Sequence, residues 1–226
     1  MIPLDFAGRC FTVVGGRALF WPQQSALILA DLHLEKASWF AARGQMLPPH
    51  DSLMTLERID ALLAETGAER VWCLGDNFHD SAGPGRMRDA ARALLARMTA
   101  SVDWLWITGN HDEKLPAGIG GRILVETEVE GLVLRHEADH REMLPELSGH
   151  FHPKYGAGGV SRPCFVASAA KLILPAFGAL TGGLRADDPA MLEAACGDAE
   201  ALIPAADRLL RFPLARERRK RRLIRS

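Results

Sequence analysis

Apolar and polar positions in the first half of the chain alternate between the spacing of strands and the spacing of helices. Three short, largely apolar runs are typical of strands buried on both faces of a parallel sheet, at residues 26–30, 71–74 and 102–107. Between the first two runs, leucine and isoleucine recur over residues 53–63 as on one helix face, and Gly67 favours the helix end. Residues 87–98 are rich in alanine, arginine and leucine and predict a second helix. Strands that alternate with helices predict a parallel sheet with helices packed outside it.

Hairpin patterns precede this unit and dominate the residues that follow it. Residues 11–14 and 18–21 are β-prone runs joined by Gly15-Gly16-Arg17, which predicts a hairpin. Beyond residue 109, predicted strands flank the turn sequence Glu130-Gly131 and then recur between Gly- and Pro-rich joints, at residues 123–129, 132–135, 146–151, 164–168 and 172–174. This half therefore predicts mostly antiparallel strands. Together the halves predict an α/β fold, a two-sheet β-sandwich flanked by helices, in a single domain over residues 1–213.

Composition agrees with a globular protein and excludes several other classes. Of the 226 residues, 48% are hydrophobic and 24% charged, which are ordinary values for a folded domain. No apolar run approaches the ~18 residues of a membrane-spanning helix, and the N-terminus lacks the pattern of a secretory signal. The four cysteines form no CxxC pair. We therefore expect a cytoplasmic protein that does not associate with a membrane.

Charge is distributed unevenly along the chain. Eight of the 27 basic residues but one of the 28 acidic residues lie in 211–226, which gives this end a net charge of +7 and residues 1–210 a net charge of −8. A block of like charge usually forms a solvated tail, and we predict a disordered basic tail over residues 214–226. The alternative is an arm that attracts phosphate backbones electrostatically.

Side chains that can hold metal ions follow the predicted strands. They occur in five places: Asp31-Leu32-His33, Asp76-Asn77-Phe78-His79, Asn110-His111-Asp112, His136, and Gly149-His150-Phe151-His152. The carboxyl ends of parallel strands meet at one edge of a sheet, so these side chains are expected to lie close together. Each motif alone is weak, because short Asp and His combinations also occur in ordinary turns. Residues alternate along a strand, so His150 and His152 are predicted to point to the same side.

The five motifs together predict a metal centre. They contain six of the eight histidines of the chain. Imidazole and oxygen ligands without thiolates suit Mn²⁺, Fe or Zn²⁺ and not a structural zinc site built on cysteine. Two neighbouring divalent ions need a carboxylate between them and further ligands on each side. The motifs supply two carboxylates, one amide and four imidazoles, and therefore predict a dinuclear site.

In this order, the motifs resemble those of the calcineurin-like metallophosphoesterase superfamily. Further stretches are similar to the bacterial DNA ligase-associated members of that superfamily, at residues 30–36, 75–80, 147–154, 162–165 and 172–178. The resemblance covers the chain to about residue 213 and leaves out the basic tail. It implies the four-layer fold of that superfamily, in which two sheets lie between helices.

The resemblance also implies a role for each motif residue. One ion would be held by Asp31, His33 and His152. The other would be held by Asn110, His136 and His150, and Asp76 would bridge the two. His111 would not be a ligand but would lie beside the scissile phosphate. Many relatives carry Asp or Asn at the position of His79, so His79 is expected either to face the substrate or support a ligand, or to be a surface residue at a helix start.

This arrangement predicts hydrolysis of a phosphate ester. A hydroxide held between the two ions would attack phosphorus in line. His111 would stabilise charge or protonate the leaving oxygen. Asp112 would orient His111 or cap its turn. Three basic residues near the ligand motifs, Arg135, Lys154 and Arg162, are expected to meet a second phosphate or a nucleic-acid backbone, or else to be solvated.

The predicted function is a phosphodiesterase with two divalent ions, with Mn²⁺ preferred over Fe or Zn²⁺. The subgroup resemblance implies a nuclease in DNA repair, with DNA as substrate and a DNA ligase, helicase or second nuclease as partners. One alternative is a phosphatase or pyrophosphohydrolase that acts on a small phosphorylated metabolite or nucleotide. The other is a metal-binding scaffold without catalysis.

Overall fold

A seven-stranded sheet carries the first half of the chain in the computed structural model, which describes residues 1–157 and 159–214. Its strands are adjacent in chain order: β1 (Ile2–Phe6), β2 (Arg9–Val14), β3 (Ala18–Trp21), β4 (Ala26–Ala30), β5 (Arg70–Leu74), β6 (Asp103–Ile107) and β7 (Arg122–Leu124). Strands β1 to β4 pair antiparallel, and β4 to β7 pair parallel. The predicted hairpin and the parallel unit are both present.

Five α-helices connect or cover the strands in the described part of the chain: α1 (Lys36–Ala41), α2 (Asp51–Thr66), α3 (Gly83–Arg86), α4 (Asp89–Ser101) and α5 (Pro189–Ala194). Helix α2 ends at Gly67, whose φ of 65° is left-handed and therefore suits glycine. Its buried face, with Leu56, Ile59 and Leu62, packs with Leu27 and Leu29 of β4. The helical spacing in the sequence therefore identified the packed face correctly.

A second seven-stranded sheet carries most of the remaining chain. Its spatial order is β16 (Arg208–Leu214), β15 (Ala199–Ala205), β13 (Phe165–Ala167), β14 (Lys171–Ile173), β10 (Glu146–Ser148), β9 (Leu132–Arg135) and β8 (Glu126–Val129). A separate hairpin is formed by β11 (Lys154–Ala157) and β12 (Val160–Pro163). The second half is mostly antiparallel, as predicted, with five antiparallel pairings among its described strands. The exception is β10, which pairs parallel with both β9 and β14.

The two sheets pack face to face. Alternate residues of β4 point to opposite sides, so Ile28 joins the core with Leu147 and Leu172 of the second sheet, whereas Leu29 faces the helices. The outer face of the second sheet packs with α5, where Met191 is fully buried. The layers are thus helix, sheet, sheet and helix, as predicted.

Two predicted strands differ from the structure by more than small shifts at their ends. The predicted strand 123–129 is divided at Val125, because β7 pairs with the first sheet and β8 with the second. The predicted strand 146–151 ends at Ser148, so the His150 and His152 motif lies in a loop. Periodicity does not distinguish one long strand from two strands that join different sheets.

The basic tail lies outside the described residues except for Leu214, which ends β16. Its disorder and the domain boundary at residue 213 stay predictions. None of the helices described in the structure is long and apolar enough to cross a membrane.

Candidate metal centre

Five loops meet at one edge of the two sheets. They follow β4, β5, β6, β9 and β10, and they carry Asp31 and His33, Asp76, Asn110 and His111, His136, and His150 and His152. Parallel pairing brings the loops after β4, β5 and β6 to one edge of the first sheet. His152 follows β10 of the second sheet, and the packing of the two sheets brings it to His33 although 119 positions separate the two in the chain. The structure therefore brings together all of the residues predicted as ligands.

One group of side chains consists of Asp31, His33, Asp76 and His152, whose ligand atoms all lie within 4.8 Å of one another. The Nε2 atoms of His33 and His152 are 3.2 Å apart. Nε2 of His152 lies 3.6 Å from Oδ2 of Asp31. Oδ2 of Asp76 lies 3.7 Å from Nε2 of His33.

A second group surrounds His136. Its Nε2 lies 2.9 Å from Oδ1 of Asn110 and 3.1 Å from Nδ1 of His150. Oδ1 of Asp76 lies 3.5 Å from the same nitrogen. Asp76 therefore faces one group with each of its oxygens and stands between the two.

These groups fit divalent cations. An ion with six ligands and bonds of about 2.1 Å places neighbouring ligand atoms about 3 Å apart, close to the spacing of the ring nitrogens in both groups. Asp31, Asp76 and His33 are buried, and two buried carboxylates in one cluster need a positive partner. The donor set of nitrogen and oxygen without sulfur suits Mn²⁺, Fe or Zn²⁺.

The backbone around these side chains is strained. Five of the predicted ligands have left-handed φ angles, which non-glycine residues rarely adopt: Asp31 (52°), His33 (44°), Asp76 (40°), His150 (68°) and His152 (48°). Strain of this kind persists where the surrounding structure enforces it, typically at functional sites. Gly149 and Gly109 allow the close approach, because a Cβ atom at either position would collide with the carboxylate of Asp31 or Asp76, respectively.

Burial keeps His33 and His136 neutral. Desolvation lowers the pKa of His33 from 6.5 to about 2 and that of His136 from 6.5 to about 4. A neutral imidazole presents a lone pair, which is the form that binds a metal ion. Burial also raises the pKa of Asp76, while the His111 backbone N–H, which donates to Oδ1 at 3.0 Å, opposes that rise.

We expect the metal-free protein to lose stability as the pH falls from about 6.5 towards 4. The unfolded chain takes up protons on its histidines near pH 6.5, whereas the folded state resists protonation of His33 and His136. Each of the two contributes roughly 1 kcal/mol of lost stability per pH unit in this window, while the raised pKa values of Asp112 and Asp76 act in the opposite direction and reduce the net loss. Denaturant titration of EDTA-treated protein at pH 7.5, 6.0 and 5.0 measures the loss.

The exposed His140 provides a matched control, because its side chain is 68% exposed. A His140→Gln variant should show the same pH dependence as the unmodified chain. An unfolding free energy that stays constant between pH 7.5 and 5.0 would contradict the burial argument.

His111 lies beside the two ligand groups, and its Nε2 atom is on the side of Asp76. Its Nδ1–H donates to the carbonyl oxygen of His79 at 2.9 Å, which leaves Nε2 free, 4.0 Å from Oδ2 of Asp76. Its side chain is 38% exposed, whereas those of Asp76 and His33 are 4% and 5% exposed. The ring is therefore fixed and accessible to a substrate.

Asp112 contacts backbone and not the imidazole of His111. Its fully buried carboxylate accepts hydrogen bonds from the N–H groups of Gly109 (2.9 Å), Asn77 (2.8 Å) and Phe78 (3.0 Å). Burial raises the pKa of Asp112 to about 6. Asp112 thus joins the loops after β5 and β6, which favours its alternative interpretation as a cap.

His79 belongs to an aromatic cluster beside the centre. Its ring stacks on Phe40 (5.8 Å between centroids) and His111 (5.2 Å), and it meets Trp39 edge-on. Burial and the charge of Lys36 lower its pKa to about 4. This position favours a supporting role next to His111 over that of a solvated surface residue.

Arg135 is paired within the protein. Its guanidinium lies within ion-pair distance of four carboxylates: Glu126 (2.8 Å), Asp139 (3.8 Å), Glu142 (3.4 Å) and Glu146 (3.4 Å). Glu146 is fully buried and also pairs with Lys171 at 3.1 Å. Arg135 therefore supports the strand that precedes His136, and its charge is not available to a substrate.

The hairpin of β11 and β12 separates the other two basic candidates. Lys154 pairs with Pro163, and Tyr155 pairs with Arg162. Neighbouring residues on a strand point to opposite faces, so Lys154 and Arg162 lie on opposite sides of the hairpin. Lys154 faces His152, with which it lines a small cavity.

Sequence reasoning missed three residues near the centre. Arg17 lines the same cavity as His152 although 135 positions separate them, and no local pattern connects the two. Trp39 and Phe40 lie on α1, a six-residue helix too short for its spacing to show. The one signal in the sequence for Trp39 and Phe40 was that two aromatic residues follow shortly after the motif of Asp31 and His33.

The motifs of the centre also match a family of known proteins. The family model of calcineurin-like phosphoesterases matches residues 25–166, a span that contains every residue of the two ligand groups. No curated protein matches the chain.

Solved structures include two similar chains. The crystal structure of the nuclease MPE of Pseudomonas putida aligns with a TM-score of 0.72 and 30% sequence identity, over 89% of this chain and 95% of that one. Yfce, a phosphoesterase from E. coli, aligns with a TM-score of 0.37 and 17% identity, over 78% of this chain and 87% of that one.

Proposed function

The chain belongs to the calcineurin-like phosphoesterase family, and from this premise we propose that it is a phosphodiesterase with two divalent metal ions. The position of Asp76 carries the proposal. Its two carboxylate oxygens face separate groups of ligands, with His33 on one side and His136 on the other. A carboxylate between two sets of ligands is the arrangement that a pair of ions requires.

We assign the ligands to the two ions in the way that the family resemblance implies. Asp31, His33 and His152 would hold one ion. Asn110, His136 and His150 would hold the other, and Asp76 would be common to both. When bound, the two ions supply positive charge to the phosphate oxygens and lower the pKa of a bound water.

The chain's own residues supply orientation and a proton. The His79 carbonyl accepts from Nδ1 of His111, so Nε2 of His111 is the atom that faces the bound phosphate. In its protonated form this nitrogen donates to the leaving oxygen, whose charge develops as the bond breaks. The Asp112 carboxylate accepts hydrogen bonds from backbone N–H groups of the loops that carry Asp76 and His111. Asp112 therefore fixes the position of the proposed bridging carboxylate relative to the proposed proton donor.

DNA is the proposed substrate. The nuclease MPE of Pseudomonas putida shares the fold at 30% identity, and its likeness supports action on a nucleic acid. The sequence resemblance to ligase-associated members supports a role in DNA repair beside a DNA ligase, a helicase or a second nuclease. The nitrogen and oxygen donors are compatible with Mn²⁺, Fe or Zn²⁺, and Mn²⁺ is the metal of this proposal.

Side-by-side assays of a diester and a monoester test the proposal. We expect purified protein with Mn²⁺ to hydrolyse bis-p-nitrophenyl phosphate much faster than p-nitrophenyl phosphate. In a second assay we expect it to cleave DNA. The reason is that the centre is open on the side of His111, whose side chain is 38% exposed, and it therefore admits a phosphate with two substituents.

Each other outcome has a defined meaning. Preference for the monoester would replace the proposal by a phosphatase that acts on small metabolites. Absence of turnover with either ester, although two ions are bound, would favour the scaffold alternative. EDTA-treated protein serves as the blank for both substrates.

A further inference from the structure

A small polar cavity adjoins the metal centre at His152. Its volume is about 200 Å³, far above the ~10–15 Å³ that one water needs. The walls include Arg17, His152, Lys154, Ser161 and Thr181. These residues come from the β2–β3 turn, the loop after β10, the β11–β12 hairpin and the loop after β14. Four separate segments thus place two cations and two hydroxyl side chains around one space.

Neither cation of the cavity has a carboxylate partner among the described residues. Arg17 donates to the carbonyl oxygen of Ala176 at 3.5 Å, and Lys154 donates to that of Thr181 at 3.3 Å. Burial lowers the pKa of Arg17, which shows that water does not fully solvate its charge. Arg135, also near the centre, is by contrast surrounded by carboxylates.

A third cation lies nearby. Burial lowers the pKa of Lys36, the nearby Asp51 carboxylate opposes that shift, and the charge of Lys154 adds to it. Arg17 and Lys154 thus bring positive charge without a carboxylate partner to one place in a body whose residues 1–210 carry a net charge of −8. Such a cluster stabilises an anion that enters it and is itself stabilised by that anion.

The β11–β12 hairpin places the side chain of Lys154 on the side of the metal centre. Lys154, Ser161 and Pro163 share the face that lines the cavity, because Lys154 pairs with Pro163 and Gly156 with Ser161. Arg162 pairs with Tyr155 on the opposite face. The same short hairpin therefore offers one basic residue inside the cavity and one outside it.

We propose that this cavity is a second anion subsite, which binds a phosphate group of the substrate other than the one being hydrolysed. The inference rests on the proposed phosphodiesterase function and adds the substrate's second contact. The bound group is either the next internal phosphate of a polynucleotide or a phosphate at the end of a strand. Both have the charge and the acceptor oxygens that Arg17 and Lys154 would recognise.

A series of thymidine compounds tests the subsite. The dinucleoside monophosphate offers only the scissile phosphate. The same compound with an added 5′- or 3′-phosphate offers a terminal second group, and the trinucleoside diphosphate offers an internal one. The measured quantity is the ratio of kcat/KM for each two-phosphate compound to kcat/KM for the one-phosphate compound, with Mn²⁺.

Removal of one cavity charge should reduce that ratio. We expect Lys154→Gln and Arg17→Gln each to lower it roughly tenfold, the loss associated with one charge-assisted hydrogen bond. Arg162→Gln removes the same charge from the other face of the hairpin and should leave the ratio unchanged. A gain limited to the terminal phosphate assigns the subsite to strand ends, and a gain with the trinucleoside assigns it to the internal backbone.

Binding to metal-free protein gives a second measurement. We expect EDTA-treated protein to bind thymidine 3′,5′-bisphosphate more weakly after Lys154→Gln or Arg17→Gln, but not after Arg162→Gln. Equal ratios and equal affinities in all variants would overturn the subsite while diester hydrolysis stands. Failure of the unmodified protein to hydrolyse any diester would refute the proposed function, and the binding result would still decide the subsite.

Discussion

Replacement of Asp76 by asparagine should abolish diester hydrolysis and reduce the number of bound ions. The carboxylate of Asp76 places one oxygen 3.7 Å from Nε2 of His33 and the other 3.5 Å from Nε2 of His136. An amide keeps the shape but offers a neutral oxygen and an N–H in place of the bridging charge. The expected loss in kcat is ~10³-fold or more, since both charge stabilisation and water activation depend on the paired ions.

Metal content and activity must be measured on the same sample. We expect mass spectrometry of the Mn²⁺-loaded chain to show two ions in the unmodified protein and fewer in Asp76→Asn. Asp80→Asn is a matched control from the same loop, because its carboxylate pairs with Arg86. Full turnover by Asp76→Asn would refute the bridging role.

Replacement of His111 by alanine should remove turnover without removing metal. Its Nδ1 is engaged by the carbonyl of His79, and its Nε2 is free to donate a proton beside the ligand groups. A positioned acid contributes about 10²–10⁴-fold to the rate, and we expect kcat to fall by that factor. The fall should be smaller for an ester whose leaving group is a strong acid and needs no proton.

Leaving groups of different acidity separate this role from a structural one. The variant should lose more rate with an alkyl leaving group than with p-nitrophenolate, and it should retain two bound ions. His140→Ala, which removes an exposed histidine from the loop after β9, serves as the control. Loss of metal from the His111→Ala protein would instead make His111 a ligand.

The sequence predicted the location of the centre because parallel strands constrain where their ends lie. Asp31, Asp76 and Asn110 each follow a short apolar run, and β4, β5 and β6 pair in parallel register. The expectation that these motifs meet needed no knowledge of side-chain contacts. The ligand set then followed from the type of each residue and from the family resemblance.

The geometry of His150 and His152 was beyond the sequence. Strand alternation predicted that they point to one side, but β10 ends at Ser148 and both residues have left-handed φ angles. Loop conformation of this kind is enforced by long-range contacts, such as the His150 N–H that donates to Asp31 at 2.9 Å. A periodic pattern contains no information about such contacts.

The sequence also did not predict which groups the basic residues near the centre contact. Arg135, Lys154 and Arg162 cannot be distinguished by sequence, since each lies near a ligand motif. The structure gives them different surroundings: four carboxylates for Arg135, the cavity for Lys154 and the far face of the hairpin for Arg162. Arg17 had no local signal at all, because its place in the cavity beside His152 depends on the packing of distant loops.

The central claim is that two ions lie on either side of Asp76. An anomalous difference map from a crystal of the unmodified protein grown with Mn²⁺ tests it most directly. We predict two peaks about 3.5–4 Å apart, one beside His33 and His152 and the other beside His136 and His150. A single peak, or peaks away from Asp76, would contradict the dinuclear centre and the mechanism built on it.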